Sequence, residues 1–443
     1  MIYQRIEDLI GQTPLLKLDT RYYGIEHVDL YVKLEYLNPF GSIKDRTLRG
    51  MLPDDVLSQL KEEGKGLIES SSGNTAKAAQ VIANKYDIPF TSVTNRIKIP
   101  EVEQVLRYLG TNIVALPGRS ECADPNDADD AIGVITRMMH DAPRAYHHTS
   151  QYTNRDNTAI HTTTTAQEVY DDLPEIDAVV MSVGTGGSSG GFIEYAKQYN
   201  KSTSHIGVVA HPSDFIPGIR TQNELFETDL FHRDDFDALH EVSSQDALGV
   251  LRDVVRHEGI LAGPTTGANL AGLLEYAREN DSLRADGSRR VMVTVACDRL
   301  ETYMSYIMKR QPELFAATSR SDLFAIEPIA EEVAAAEMSA DQATLAQIQK
   351  GEVIAIDTRG VKPYGQFHIE GSLNYPEELL REVLVNGSPF PDHKPLLFVC
   401  PRGDRSLLLA TLMTRRGIKS HSLAGGLLAW RSSGLGLVRP RHG

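Results

Sequence analysis

The sequence predicts an α/β protein in two parts: a large unit of parallel sheets flanked by helices, then a smaller α/β unit. Three observations carry this. From Leu9 to about Met308, short apolar runs of β type alternate with longer amphipathic stretches. The chain has 443 residues, too many for one core, since single cores stop growing near ~250–300 residues. Between about Gln311 and Ala340 the β-type runs stop, and they resume in EVIAIDTRG and PLLFVC.

The strand candidates are, in order, VDLYVKLEYL, IPFTSVTN, TNIVALPG, IDAVVMSVG, HIGVVAHP and RRVMVTVAC. Most are bounded by Gly, Pro, Asn or Asp and followed by an amphipathic stretch, the βαβ rhythm of a mostly parallel sheet. The Ala-, Glu- and Ser-rich segment FAATSRSDLFAIEPIAEEVAAAEMSAD reads as an inter-domain linker. The expected division is therefore 1–310, linker 311–338 and 339–443, with a small lobe of about 41–149 inserted in the large unit. From Cys400 onward, Arg402, Arg405, Arg415, Arg416, Lys419, Arg431, Arg439 and Arg441 face one acid, Asp404.

Composition excludes several classes. Hydrophobic residues at 41% and charged residues at 24% are those of an ordinary globular protein. Lys and Arg number 45 against 60 Asp and Glu, a net charge of −15, which argues against a nucleic-acid partner. No apolar run approaches the roughly 18 residues of a spanning helix. The opening MIYQRIEDLI carries acids where a secretory leader is basic and then apolar. Cys122, Cys297 and Cys400 are dispersed and odd in number, which fits a reducing, cytoplasmic setting without disulfides or a CxxC metal pair. The acidic run ECADPNDADD lacks a calcium loop's glycine, and Ile135 stands where the bidentate Glu belongs. It reads as a solvated loop. The His147-His148 pair has no metal spacing, and no metal is expected.

Three constellations in the large unit belong together. In Asn38-Pro39-Phe40-Gly41-Ser42-Ile43-Lys44-Asp45-Arg46, Pro and Gly make a turn, and Ser42 with Asp45 suggests a capping box opening a helix. Lys44 then sits in the first turn, where the helix dipole disfavours its ammonium form and frees the amine as a nucleophile. Taken alone, such a lysine is more commonly a solvated surface residue. Ser70-Ser71-Ser72-Gly73-Asn74-Thr75 lies between the strand signal GLIE and a strong helix, and suits a carboxylate; a plain N-cap is the alternative. Gly184-Thr185-Gly186-Gly187-Ser188-Ser189-Gly190-Gly191 follows a buried strand and lets backbone approach a phosphate. A dinucleotide turn is disfavoured, because the spacing is not GxGxxG and the next strand ends at His211 without an acid.

An amine, a carboxylate cradle and a phosphate cup are what a pyridoxal-phosphate enzyme acting on an amino acid requires. IGQTPLLKL, KLEYLNPFGSIKDR, SSSGNTA, QYTNRDN, SVGTGGSSGGF and EGILAGPTTGAN together resemble the signature blocks of the cysteine synthase/cystathionine β-synthase family, a two-lobed fold type II. The resemblance covers about residues 1–310. It implies that Lys44 carries the cofactor, Asn74 contacts the pyridine hydroxyl, Gly184, Thr185, Gly186, Gly187 and Ser188 hold the phosphate, and Thr265 meets the ring nitrogen. It also implies that Ser71, Ser72, Thr75 and Gln151 hold the substrate carboxylate, that Lys44 moves the α-proton, and that the enzyme is a homodimer. A sulfur nucleophile would then replace the leaving group of an O-activated serine. Ala76 stands where the family usually has Gly, and Arg155 where it has Pro. Arg220 in IPGIRTQNELF lies where members that use O-phosphoserine can carry an arginine; a surface arginine is the alternative.

Cys400-Pro401-Arg402-Gly403-Asp404-Arg405-Ser406 follows the strand PLLFV and precedes a helix. Loop amides, a helix N-terminus and two arginines suit a thiolate, although most lone cysteines are core residues. With IAIDTRG, FHIEGSLNYP and LAGGLLAWRSSG, the loop resembles the CxxGxRS site of rhodaneses over about 339–443. That implies sulfane sulfur carried on Cys400, cradled by Arg402, Gly403, Asp404, Arg405 and Ser406, with Asp357 and Arg359 structural. Cys297 has no such loop and reads as packing. Three functions stay open: cysteine synthesis with a sulfur-handling domain, the reverse elimination of sulfide from cysteine, and a small domain that only senses or docks.

Overall fold

A computed structural model describes residues 2–94, 97, 99–116, 130–315, 336–377, 379–380, 390–391, 393–415 and 417–439. Cys122 and the acidic run through Asp129 lie outside the described residues, as do 316–335 of the expected linker, Arg416 and Arg441. The chain forms two compact units, Met1–Pro312 and Glu313–Gly443.

The larger unit holds two sheets. One has six strands in the order Leu15–Lys17, Val28–Lys33, Arg290–Val295, Ala178–Ser182, Ser204–Ala210 and Ala238–Val242. All neighbours are parallel except the first pair. Alternate residues of one strand enter different cores. Ala178 and Val180 pack with Leu270, Leu273 and Leu274 of the helix Pro264–Glu279, whereas Val179 and Met181 pack with Phe192 and Tyr170. Burial on both faces is why these strands read as continuous apolar runs.

The second sheet is wholly parallel, in the order Asn112–Ala115, Phe90–Thr94, Gly66–Ser70 and Tyr146–His148. Its strands fall between Val28–Lys33 and Ala178–Ser182 of the first sheet in sequence. Leu67 and Phe90 pack on helix residues Ala79, Ile82 and Leu106, together with Leu48 and Met51 of the helix Lys44–Met51. The smaller unit has one parallel sheet, ordered Glu337–Met338, Ser420–Leu423, Leu396–Val399, Ile354–Asp357 and Leu373–Asn374. Phe398 and Ile356 face Leu409 and Met413, while Leu397 and Val399 face Trp430, whose Nε1–H donates to the Gly436 carbonyl at 3.2 Å.

Polar strands escaped the sequence reading: Tyr146–His148, Ala238–Val242 and Ser420–Leu423 have no apolar run. Among the described residues, no helix is long and apolar enough to cross a membrane, and no cluster of three or more His, Cys, Asp or Glu side chains could hold a metal ion.

Candidate active sites

The helix Lys44–Met51 starts at the end of the turn the sequence marked. The expected capping box is not formed. The Ser42 hydroxyl accepts the Lys44 N–H at 3.2 Å and donates to the Asp45 carboxylate at 3.2 Å, and that carboxylate also accepts the Phe40 N–H at 2.6 Å. This ties the start of the helix to the Pro-Phe turn. The Lys44 amine lines a cavity and has no hydrogen-bond or ion-pair partner among the described residues. Burial pulls its pKa below the ordinary lysine value, and the nearby Cys297 and Asp298 only partly oppose this.

Two buried contacts hold that helix. Arg46 makes forked hydrogen bonds to Glu35 (2.8 and 2.8 Å) and to Glu168 (2.6 and 2.7 Å). The Thr47 hydroxyl meets His161 Nε2 at 3.0 Å, and burial holds His161 well below its usual pKa. His161 opens a π-helical turn, His161–Ala166, against which Gly191 packs so closely that a Cβ there would lie 2.5 Å from His161 Cβ.

The serine-rich loop joins the strand Gly66–Ser70 to the helix Asn74–Lys85. Ser71 Oγ accepts the N–H groups of Gly73 (3.3 Å) and Ala76 (3.2 Å). Thr75 donates to Gln151 Oε1 at 2.8 Å, and Gln151 Nε2 donates to the Ser70 carbonyl at 2.9 Å. Beneath them, fully buried Glu69 accepts the N–H groups of Ser70 (2.8 Å) and Gln151 (3.2 Å) and the Thr149 hydroxyl.

The glycine run turns the strand Ala178–Ser182 into the helix Gly187–Gln198. Gly186 has φ of +85°, in the left-handed region. A Cβ on Gly187 would lie 2.2 Å from Asn157 Oδ1, so only glycine fits. No acid occupies the first turn of that helix, so no carboxylate competes with an anion there, although Thr185 Oγ1 accepts the Gly187 N–H at 3.3 Å. Thr265, one residue into its helix, donates to the Pro217 carbonyl at 2.6 Å.

These loops meet in one cavity of about 200 Å³. Lys44, Ser71, Ser72, Asn74, Thr75, Gln151, Gly184, Thr185, Ser188, Arg220 and Thr265 all line it, with Gly186 and Gly187 in the turn behind. Arg220 is not a surface arginine. It is 6% exposed, donates to the Glu224 carbonyl at 3.2 Å and lies 4.9 Å over the Tyr152 ring. Cys297 packs against Val293 and Val295 as expected, and it also lines the cavity. Burial pushes its thiol up to about 12. Asp298, Tyr303 and Tyr152 line the cavity too and were missed. A signal existed for the first of these, since ligands in parallel sheets bind beyond the strands' carboxyl ends, and Asp298 lies just beyond Arg290–Val295.

In the smaller unit Cys400 ends the strand Leu396–Val399, and the helix Asp404–Arg415 begins four residues later. Its buried sulfur receives the Gly403 N–H (3.1 Å), the Ser406 N–H (3.4 Å) and the Ser406 hydroxyl (3.2 Å), and faces Asp404 Oδ1 at 3.5 Å. Arg402 and Arg405 are exposed, Arg405 paired with Glu377 at 3.2 Å. Arg359 forks onto Asp357 (2.9 and 2.7 Å) and donates to the Phe367 carbonyl at 2.6 Å.

The large cavity suits pyridoxal phosphate. It offers an unpartnered amine of lowered basicity, a glycine turn closed to any Cβ, and a hydroxyl at a helix start, with no competing acid in the phosphate turn. Residues 6–298 match the family described as pyridoxal-phosphate dependent enzyme, and the chain belongs to that family. Residues 340–433 match the rhodanese-like domain.

Within that class the relatives are specific. The cysteine synthase of Aquifex aeolicus is 28% identical over 307 residues, covering 68% of this chain and 91% of that protein. The cystathionine beta-synthase of Apis mellifera is 30% identical over 314 residues, covering 67% and 59% respectively. The crystal structure of an O-acetylserine dependent cystathionine beta-synthase from Helicobacter pylori superposes with a TM-score of 0.60 at 26% identity, covering 69% of this chain and 98% of that one. A hydrogen sulfide-producing enzyme from Fusobacterium nucleatum superposes at 0.59 and 25% identity, covering 69% and 99%. The large unit is thus a cysteine synthase/cystathionine β-synthase-like, fold type II enzyme of amino-acid substrates, with pyridoxal phosphate as cofactor, joined to a rhodanese-like domain.

Proposed function

We propose that the large unit replaces the side-chain substituent of an O-activated L-serine with sulfide to give L-cysteine, and that Cys400 handles sulfane sulfur as a persulfide. One observation carries the first half: Lys44, the serine loop and Arg220 converge on one cavity.

Pyridoxal phosphate, when bound, supplies the electron sink for losing the α-proton and the β-substituent. Lys44 anchors it and, once released, takes the α-proton at Nζ, its burial making the neutral amine more available than in an ordinary lysine. Gly184, Thr185, Gly186, Gly187 and Ser188 hold the phosphate through backbone N–H groups and hydroxyls. Thr265 faces the ring nitrogen and Asn74 the ring hydroxyl. Ser71, Ser72, Thr75 and Gln151 orient the substrate carboxylate, with Glu69 stiffening that loop from below. Buried Arg220 lines the same cavity, and a guanidinium there would compensate a leaving anion. This favours O-phosphoserine over O-acetylserine. The C–O bond breaks with departure of phosphate, and the C–S bond forms from hydrosulfide.

In the small unit, Arg402, Gly403, Asp404, Arg405 and Ser406 form the loop around the carrier sulfur. We assign the units to 1–310 and 339–443 with 311–338 between, and the large unit to a homodimer.

Purified holoenzyme given O-phosphoserine, O-acetylserine or cysteine alone, each with and without sulfide, tests the reading. Cysteine should accumulate from O-phosphoserine plus sulfide, and Arg220→Ala should lose more rate with the phosphate ester than with the acetate. Sulfide release from cysteine, with no synthesis from either ester, would instead establish the elimination reading, which the Fusobacterium relative's hydrogen sulfide production supports.

A further inference from the structure

Asn74 and Asp298 are 224 residues apart in sequence, yet the Asn74 amide nitrogen donates to Asp298 Oδ2 at 2.7 Å. Tyr303 donates its hydroxyl to the same carboxylate and receives Asn74 Nδ2 at 3.1 Å. Burial raises Asp298 only to about 6, so near neutral pH its carboxylate is ionised and can only accept, and the amide nitrogen, not its oxygen, must face it. The amide nitrogen is then committed to this pair, and the carboxamide can present only one orientation to the cavity.

Asp298 is itself fixed by its surroundings. It is 4% exposed, its carbonyl accepts the Gly263 N–H at 2.9 Å, and its backbone bridges Ser42, two residues before Lys44. A Cβ on Gly263 would come within 2.4 Å of Asp298 Oδ1, so the carboxylate sits against bare backbone where a larger residue would displace it. Asp298 therefore touches the lysine turn, the Asn74 loop and the segment opening the Thr265 helix.

We propose that Asp298, with Tyr303, is a positioning residue that locks the Asn74 carboxamide in one orientation toward the cofactor ring. This rests on the reading that Asn74 faces that ring. Without the lock the amide can rotate half a turn and offer a donor or an acceptor, which would mix two ring environments.

The test is a double-mutant cycle read on the visible absorption band of the holoenzyme, alongside borohydride trapping of the cofactor on Lys44. Asp298→Ala should move the band as Asn74→Ala does, with the double variant moving it no further. The rate should fall about ten- to a hundredfold, the worth of one hydrogen bond to a charged group. Asp298→Asn, which keeps an acceptor, should recover most of the loss. A wild-type band in Asp298→Ala, or shifts that add in the double variant, would overturn the lock. An unchanged band in Asn74→Ala overturns it as well. Trapping on Lys44 in every variant shows that such a failure belongs to the lock and not to the cofactor assignment. Tyr303→Phe repeats the cycle with the carboxylate intact if Asp298→Ala does not fold, and additivity there has the same meaning.

Discussion

Arg46→Ala should strip the large unit of much of its stability while sparing the small one. The guanidinium makes four forked hydrogen bonds to Glu35 and Glu168. Glu35 is fully buried and would keep only the Thr13 hydroxyl (2.6 Å) and the Asn38 amide (2.8 Å). Removing one partner of such a pair leaves a buried charge and costs ~3–5 kcal/mol, a large share of the ~5–15 kcal/mol that holds a domain. Glu168 would retain Lys33 at 2.8 Å, so the loss is centred on Glu35. Arg46→Lys should recover less than half, because one ammonium cannot span both carboxylates.

Acid adds a second signature. Burial alone would raise Glu168, but hydrogen bonds and charge from Arg46, with Lys33, bring it from 4.5 to about 2. A depressed carboxylate contributes stability above its unfolded pKa that is lost as pH falls through the folded one. The wild type should therefore lose this increment between pH 4.5 and about 2, and Arg46→Ala should lack most of that limb. Urea unfolding by circular dichroism measures the change, while the emission of Trp430, the chain's one tryptophan, marks the small unit in the same sample. An Arg46→Ala protein within ~1 kcal/mol of wild type near neutral pH would refute the argument.

Three further outcomes follow from the geometry. Gly187→Ala, with its Cβ 2.2 Å from Asn157 Oδ1, should cost ~1–3 kcal/mol as overpacking and raise the cofactor's dissociation constant in equilibrium dialysis. In native protein at mildly alkaline pH, iodoacetamide should leave Cys297 unlabelled, because burial pushes that thiol to about 12; peptide mass analysis reads this, and rapid labelling would contradict it. Ser406→Ala removes a 3.2 Å donor to the Cys400 sulfur and should slow Cys400 alkylation roughly tenfold, a rate followed on the same peptides.

What the sequence made legible was local. The turn before Lys44, the serine loop and the glycine run are each short strings whose residue types announce a strand-to-helix turn, and each turn stands where its string placed it. What stayed hidden arrives through space. Asp298 and Tyr303 join Asn74 from 224 and 229 residues away in sequence, just beyond the strand Arg290–Val295. Arg220 could not be told from a surface arginine, because its burial depends on Tyr152 and on the segment ending at Glu224. Asp45 kept the spacing of a capping box, but its carboxylate accepts the Ser42 hydroxyl and the Phe40 N–H in place of the capping N–H.

The overlooked strand Ser420–Leu423 shows why function itself can mask a fold signal. Strands in a covered parallel sheet should be apolar, yet Ser420 and Ser422 are buried here. Ser422 lies 2.8 Å from the Ser406 hydroxyl and donates to the Gly403 carbonyl at 3.2 Å, and both partners belong to the loop that grips Cys400. The polar residue that hides this strand from a hydrophobic pattern is the one that backs the sulfur loop. Ser422→Val would therefore raise the strand's β-propensity and still loosen Ser406. Faster unfolding is not the expected result; altered Cys400 reactivity with an unmoved Trp430 transition is, and a Cys400 alkylation rate equal to wild type would show that Ser422 only fills space.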